Sequence, residues 1–284
     1  MHLPLDTAGI SSQRLVRRKG GTVKYRKNTG LDAPKNVPMP NLPLGRKATA
    51  YGGGGGSPVF LPSGEPFAGE TAGGGTRADI YGTSAYGSGY PSARNGSRGA
   101  VIQPNLPYFF WPVVFTNPPS SAVRQLDLGE QYGPLDNSSR PGGAMAEAHF
   151  LSNNTGSIFH VLADNGTVSS LITYFTANCS HNLDVAASST APAIFDNSNV
   201  TSGPAAQPWE AVQYYRASSV VLMLDGYNNT ASLPSGADLA LLNCLNKTIG
   251  FGVPLVNAGS HVIPLDIWCL LCSIMSAYLL RRLV

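Results

Sequence analysis

The sequence lacks most of the signatures that identify an enzyme. It has no phosphate-binding loop, no dinucleotide-binding fingerprint, no EF-hand loop, and no G-x-S-x-G motif between a strand-like and a helix-like segment. Charged residues make up only 12% of its 284 residues, and it has only five histidines and four cysteines. We therefore predict no catalytic, cofactor-binding or metal-binding residue.

The chain also lacks a long apolar run. The longest, IWCLLCSIMSAYLL at residues 267–280, has 14 residues, fewer than the roughly 20 that a membrane-spanning helix needs. The N-terminal stretch MHLPLDTAGISSQRLVRRKGG has no apolar core behind its charges, so it is not a secretory signal as written.

Charge and glycine divide the first 103 residues into two parts. Residues 1–50 carry a net charge of +8 and read as a basic disordered arm, whereas residues 51–284 carry −5. Residues 51–103 are rich in glycine and tyrosine, and this composition predicts a disordered low-complexity spacer. An alternative reading is RNA contact through its Arg and Tyr side chains.

Residues 104–256 read as the one packed domain, of α+β class. Residues 144–163 predict a hairpin, residues 167–178 a helix capped by Thr167 or Asp164, and Val220–Leu224 a buried strand. A second helix is expected to begin at Ser235, with Asp238 completing a capping box. This order predicts a small sheet covered by two helices. The aromatic run Tyr108–Trp111 reads as a strand docked on the domain or as an exposed patch for a partner.

Acceptor sequons for N-glycosylation are the strongest signal. The pattern N-x-S/T accounts for eight of the 19 asparagines, mostly at predicted turns and element ends. The sites are Asn95, Asn137, Asn153, Asn165, Asn178, Asn199, Asn228 and Asn246.

The cysteines support the same compartment. Cys179 and Cys244 fall on the core-facing sides of the two predicted helices, and we expect them to form a disulfide. Cys269 and Cys272 lie in the apolar tail without histidines at ligand spacing, so we predict no metal there.

The C-terminal segment, residues 257–284, predicts membrane attachment. Small residues at 257–260, a short spacer and the apolar run outline a glycolipid (GPI) anchor signal, with Asn257 or Gly259 as the attachment site. Arg281 and Arg282 favour the alternative of a retained single-pass helix. Because glycosylation requires entry into the secretory pathway, we expect the native N-terminus to differ from Met1.

Two histidines are the only catalytic candidates that the pattern brings together. His149 and His160 lie on opposite arms of the predicted hairpin, with Glu147 and Asp164 as nearby carboxylates. We interpret them as ordinary strand residues. We also expect Arg216 to form a core ion pair with Asp225 or Asp238.

Six segments together resemble a family of small extracellular or surface-anchored proteins from mushroom-forming fungi. They span residues 51–256 and are YGGGGGSPVFLPSGEPFAGETAGGGTR, YGTSAYGSGYP, DNSSRPGGAMAEAHF, FHVLADNGTVSSLI, EAVQYYRASSVVLMLDGYNNT and LPSGADLALLNCLNKTIGFGVPLV. The resemblance implies a surface location, and it carries no activity or cofactor to transfer.

The sequence as a whole favours a non-enzymatic cell-surface glycoprotein on the outer face of the plasma membrane. It would be held there by its C-terminal tail and would have a structural, adhesive or wall-associated role. Its expected partners are the membrane and a cell-wall glycan or surface protein, and nucleic acid is not an expected partner. The alternatives are a secreted hydrolase acting on extracellular polymers and a tail-anchored intracellular RNA-associated protein.

Overall fold

The computed structural model describes residues 33–91, 105–115, 136–195 and 206–257. These residues combine strands and helices, so the protein belongs to the mixed α+β class that its sequence predicts. The helices are α1 (Asn165–Cys179) and α2 (Leu239–Gly252). The strands are β1 (Lys35–Val37), β2 (Ala48–Ala50), β3 (Val59–Phe60), β4 (Thr71–Ala72), β5 (Asn105–Leu106), β6 (Met145–Ser152), β7 (Ile158–Asp164), β8 (Leu183–Asp184), β9 (Ala193–Ile194), β10 (Ala211–Tyr215), β11 (Val220–Leu224) and β12 (Leu255–Val256).

The largest sheet is antiparallel and has the order β10-β11-β7-β6-β8, with β9 also paired to β6. β6 and β7 form the expected hairpin, and β11 coincides with the expected buried strand. β10 was not predicted; it pairs with β11 as a second hairpin. Two small sheets, β1-β2-β12 and β3-β4-β5, are formed partly by residues before position 104.

The helix α1 forms where an apolar stripe recurs at helical spacing. Val168, Leu171, Ile172 and Phe175 are buried, and the helix packs on β6, β7 and α2. The Phe175 ring meets that of Phe150 on β6 edge to face, with centroids 4.7 Å apart. α1 therefore joins the sheet to the second helix.

The first turns of both helices are capped by aspartates. Asp164 accepts a hydrogen bond from the Thr167 backbone N–H at 2.9 Å, so of the two expected caps it is Asp164 that serves. Asp238 accepts from the Leu241 N–H at 2.9 Å and begins α2. The prediction that Ser235 opens α2 is wrong, because Asp238 is fixed in this position by the Ser152 hydroxyl, 2.6 Å away on β6.

Part of the predicted basic arm is folded. β1 and β2 pair with each other, and β2 also pairs with β12 near the end of the described chain. The expected disorder of residues 1–50 is therefore wrong for residues 33–50, whose strands pair with each other and with the distant β12. Residues 1–32 lie outside the described part of the chain.

The predicted Gly/Tyr spacer is also wrong for residues 51–91, which pack into the protein. Arg77 donates hydrogen bonds to the carbonyls of Gly52, Gly250 and Val253 at 2.7, 3.0 and 2.9 Å. Because the last carbonyls of a helix have no partner within it, Arg77 caps the C-terminal end of α2. Residues 92–103 lie outside the described residues.

Glycines let this segment approach the sheet closely. A Cβ added to Gly82 would lie 2.8 Å from the Tyr214 carbonyl oxygen on β10. Gly89 has φ of +81°, and a Cβ there would lie 2.9 Å from the Ile80 carbonyl oxygen. At these positions glycine permits close contact between two backbone segments, whereas the glycine content of the segment alone indicates a flexible chain.

The aromatic run is part of the core. Tyr108, Phe109, Phe110 and Trp111 are all buried, so the alternative of an exposed aromatic patch is wrong. The docked strand is limited to β5, and residues 108–115 follow it as irregular buried chain.

A buried arginine holds these parts together. Arg216 is fully buried, and its guanidinium lies 2.6 Å from the Asp164 carboxylate and 3.5 Å from the centroid of the Phe110 ring. It also donates to the Thr167 hydroxyl and the Pro254 carbonyl at 3.1 and 2.8 Å. The ion pair expected with Asp225 or Asp238 is wrong, because Asp164 is the carboxylate that β7 brings beside the guanidinium.

The turn that carries Arg216 has an unusual backbone. Arg216, Ala217 and Ser218 have φ of 50°, 52° and 59°, a conformation that costs non-glycine residues on the order of 1–3 kcal/mol each. The Gly/Tyr segment supports it: the N–H groups of Arg216 and Ala217 donate to the carbonyls of Ile80 and Gly89 at 2.8 and 3.0 Å. The folded segment thus fixes the turn that directs Arg216 into the core.

Replacing Arg216 by methionine is expected to destabilise the protein by about 3–5 kcal/mol, because Asp164 would keep a buried charge without its partner. Denaturant unfolding with the disulfide intact measures this change. The control is Lys247→Met on the exposed side of α2, expected to change stability by less than about 0.5 kcal/mol. A loss below about 1 kcal/mol in R216M would show that the ion pair does not hold the core.

Candidate functional site: the sequon surface and the histidine pair

Six of the eight sequon asparagines lie in the described residues, and all six retain solvent access. Four side chains are exposed, those of Asn153, Asn165, Asn178 and Asn228. Asn137 and Asn246 are half-buried. The other two, Asn95 and Asn199, lie outside the described residues. A sequon can be modified only if its asparagine reaches an enzyme, and none of these six asparagines is fully buried.

Most of these sites occupy turns or helix ends. The Asn137 and Asn228 side-chain oxygens accept from the backbone N–H groups of Ser139 and Thr230 at 2.9 and 3.0 Å, which are Asx turns. Asn165 is the first residue of α1, and Asn178 is its penultimate residue. A glycan at any of these positions would extend from the end of an element.

Asn246 differs from the others because it lies within α2. Its side-chain oxygen accepts a hydrogen bond from the buried Tyr215 hydroxyl at 2.9 Å. N-glycosylation uses the amide nitrogen, so this hydrogen bond leaves the reacting atom unoccupied.

Cys179 and Cys244, the expected pair, are joined by a disulfide. The bond connects the end of α1 to α2 across 65 positions of sequence, and the Cys179 side is fully buried. In the chain-entropy model a loop of this length gives about 4 kcal/mol of stabilisation. Such bonds persist in oxidising compartments.

The described chain ends beside the predicted anchor site. Asn257 is half-buried, and its side-chain oxygen accepts from the Thr49 hydroxyl at 3.0 Å, while its N–H donates to the Lys47 carbonyl at 3.0 Å. Gly259, Cys269 and Cys272 lie outside the described residues. Within the described ranges, no helix is long and apolar enough to cross a membrane.

The two hairpin histidines face each other across β6 and β7. They are paired in register, with ring centroids 6.4 Å apart. The exposed His149 has both ring nitrogens engaged: Nε2 lies 3.2 Å from the Ala187 carbonyl oxygen, and Nδ1 lies 3.0 Å from the Ser189 hydroxyl. Because a carbonyl only accepts, neutral His149 carries its hydrogen on Nε2 and accepts from Ser189 at Nδ1.

His160 is held in its neutral form. Burial lowers its pKa below the usual 6.5, and neighbouring His149 acts in the same direction. The Asp225 carboxylate, 4.0 Å away, raises the pKa but does not outweigh burial. At neutral pH this contact is therefore not an ion pair.

The expected carboxylates do not serve this pair. Asp164 is bound to Arg216, and burial raises the pKa of Glu147, which disfavours its charged form. The carboxylate that does lie near His160 is Asp225. Sequence reasoning missed Ser189 because residues 180–209 show no periodicity, and only the fold brings that loop against β6.

The arrangement is polar but does not form a metal centre. Among the described residues, no group of three or more His, Cys, Asp or Glu side chains is placed to hold a metal ion.

Comparison of the chain with protein-family models, with curated proteins and with solved structures finds no match.

The lowered pKa of His160 predicts a specific pH dependence of stability. The unfolded chain binds a proton on His160 more tightly than the folded chain does. The contribution of neutral His160 to the free energy of unfolding is therefore fully present above pH 6.5, and it declines as the pH falls from 6.5 to the folded pKa. His160→Gln should remove this part of the decline, which is at most about 1.4 kcal/mol per pH unit. Denaturant unfolding of wild type and H160Q between pH 7.5 and about 4.5 measures it.

His181→Gln, at an exposed position just after α1, is the control and should keep the wild-type profile. Identical profiles in wild type and H160Q would contradict the assignment of His160 as a neutral, half-buried group.

Proposed function

We propose that the protein is a cell-surface glycoprotein with a structural, adhesive or wall-associated role and no catalytic activity. The observation that carries the proposal is the exposure of the sequons: all six asparagines in the described residues retain solvent access. The disulfide between Cys179 and Cys244 supports folding in the same oxidising compartment. The resemblance of residues 51–256 to fungal surface proteins also favours this location.

The glycans would set the chemistry of the surface. They would extend from several sides of the domain, at the β6–β7 turn, at both ends of α1 and beyond β11. The domain has few charged residues, and its glycans would present neutral hydroxyl groups. Such a surface is suited to contacts with wall polysaccharide or with another glycosylated surface protein. We propose partners of this kind, and we do not propose nucleic acid.

Attachment would be through the C-terminal segment, residues 257–284, on the outer face of the plasma membrane. Of the two candidate lipid-anchor residues, Asn257 takes part in hydrogen bonds to Thr49 and Lys47. A lipid joined at Asn257 would lie directly beside these contacts, so we favour Gly259 as the attachment residue. A retained single-pass helix remains the alternative form of anchor.

Removal of N-glycans from the native protein tests the proposal. We expect a clear loss of mass after N-glycosidase treatment, and conversion of the modified asparagines to aspartate in peptide mass spectra. Asn154 and Asn229 stand next to the sequon residues Asn153 and Asn228 without being acceptors, so they are internal controls that must stay unconverted. No mass loss and no conversion at any site would overturn the proposal and favour the intracellular alternative.

One observation favours the hydrolase as a second candidate. The Ser189 hydroxyl donates a hydrogen bond to His149 Nδ1, and the Ala187 carbonyl orients the His149 ring. In a hydrolase, a serine nucleophile and its histidine base are arranged in this way. The same hydroxyl also accepts from the His149 backbone N–H at 3.0 Å, which a structural serine would do as well.

Reaction with a fluorophosphonate probe separates the two readings. The surface-protein proposal predicts no labelling of Ser189 in the folded protein. Labelling that disappears in S189A and falls strongly in H149A, while H181Q keeps it, would establish the hydrolase reading in its place.

A further inference from the structure

A groove runs along the outer side of α1, beside the first sequon of that helix. It has a volume of about 380 Å³, within the range of roughly 300–1,000 Å³ typical of small-molecule sites. One wall consists of Asn165, Ser169 and Thr173 on α1, and the other includes residues 36–38 from β1 and the turn after it.

The α1 wall is a polar stripe that begins at a modification site. Asn165, Ser169 and Thr173 are spaced four residues apart, so they lie in a row on one side of the helix, and all three are exposed. At 1.5 Å per residue this row is about 12 Å long. The amide that would carry a glycan therefore belongs to the groove itself.

The lining chemistry suits a neutral, hydroxyl-rich occupant. None of the groove residues that the structure describes is charged, which argues against an anionic or cationic ligand. Ser169 and Thr173 offer hydroxyls, and Val37, Pro38 and Tyr174 offer apolar surface. Ser170 also lines the groove, and its buried hydroxyl has no hydrogen-bond partner among the described residues.

We propose that this groove binds the protein-proximal sugars of the glycan attached to Asn165. Sugar hydroxyls would exchange hydrogen bonds with the α1 stripe, and the sugar ring faces would cover Pro38 and Tyr174. The glycan would then bridge α1 and the β1 segment and act as a fixed part of the fold. The inference rests on the proposed function, because it requires the chain to be glycosylated.

The rate at which each glycan is released from the folded protein tests the inference. Peptide-N-glycosidase must reach the bond between asparagine and the first sugar, so a glycan bound in the groove is protected. We expect release at Asn165 to be at least about tenfold slower than at Asn153 and Asn228, whose side chains are exposed on turns. After denaturation all three should be released at similar rates.

A variant that fills the groove provides the matched control. Ser169→Trp places a large side chain among the sugars and should bring release at Asn165 to the rate seen at Asn153. Ala177→Trp lies on the same helix at an exposed position outside the groove, so the protection of Asn165 should persist. Thr173→Trp repeats the test if S169W does not fold.

Each outcome separates this inference from the proposed function. Glycans at other sites with none at Asn165, or equally fast native release at Asn165 and Asn153, would overturn the inference and leave the proposed function standing. Absence of glycans at every site would overturn the proposed function itself.

Discussion

The guanidinium of Arg216 contacts three parts of the chain that are distant in sequence, as well as its own turn. It pairs with Asp164 at the start of α1, covers the Phe110 ring from the aromatic segment, and donates to the Pro254 carbonyl ahead of β12 and to the Ser219 hydroxyl of its own turn. A fully buried arginine is tolerated only when each of its donors has a partner. The positions of these segments are therefore mutually dependent, and a shift in one would leave a charge or a donor unsatisfied.

The Gly/Tyr-rich segment, residues 51–91, also helps to hold these parts in place. Its backbone accepts hydrogen bonds from the turn that carries Arg216, and its Arg77 caps the end of α2. Tyr86 adds a hydrogen bond to the Val113 carbonyl at 2.7 Å, which links the segment to the aromatic run. The apolar core thus extends over residues on both sides of position 104, and the domain boundary inferred from composition divides a single packed body.

Local signals in the sequence were sufficient for α1, for the hairpin β6–β7 and for β11. The stripe of α1, the hairpin β6–β7 and the strand β11 each follow from periodicity that one segment contains. Other features depend on partners that are far away in sequence. Ser152 decides that Asp238 caps α2, β7 brings Asp164 to Arg216, and close backbone contacts account for Gly82 and Gly89. Composition indicates how flexible a segment would be in isolation. In this protein the segments are held by contacts with the rest of the domain.

The candidate site was predictable to a similar extent. Sequons can be read directly, and helical spacing placed Cys179 and Cys244 on facing helices. The facing of His149 and His160 follows from hairpin register, whereas their neighbours Ser189 and Asp225 come from loops that no periodicity locates. The groove beside Asn165 could not be predicted, since one of its walls belongs to a stretch that reads as a disordered arm.

A peptide map of the native protein under non-reducing conditions tests the central claim, that this domain folds in an oxidising compartment, most directly. Digestion with free thiols blocked should yield one linked pair of peptides containing Cys179 and Cys244, which separate on reduction. Recovery of both cysteines as blocked free thiols would contradict the account, because a chain that had folded in that compartment would have closed this bond.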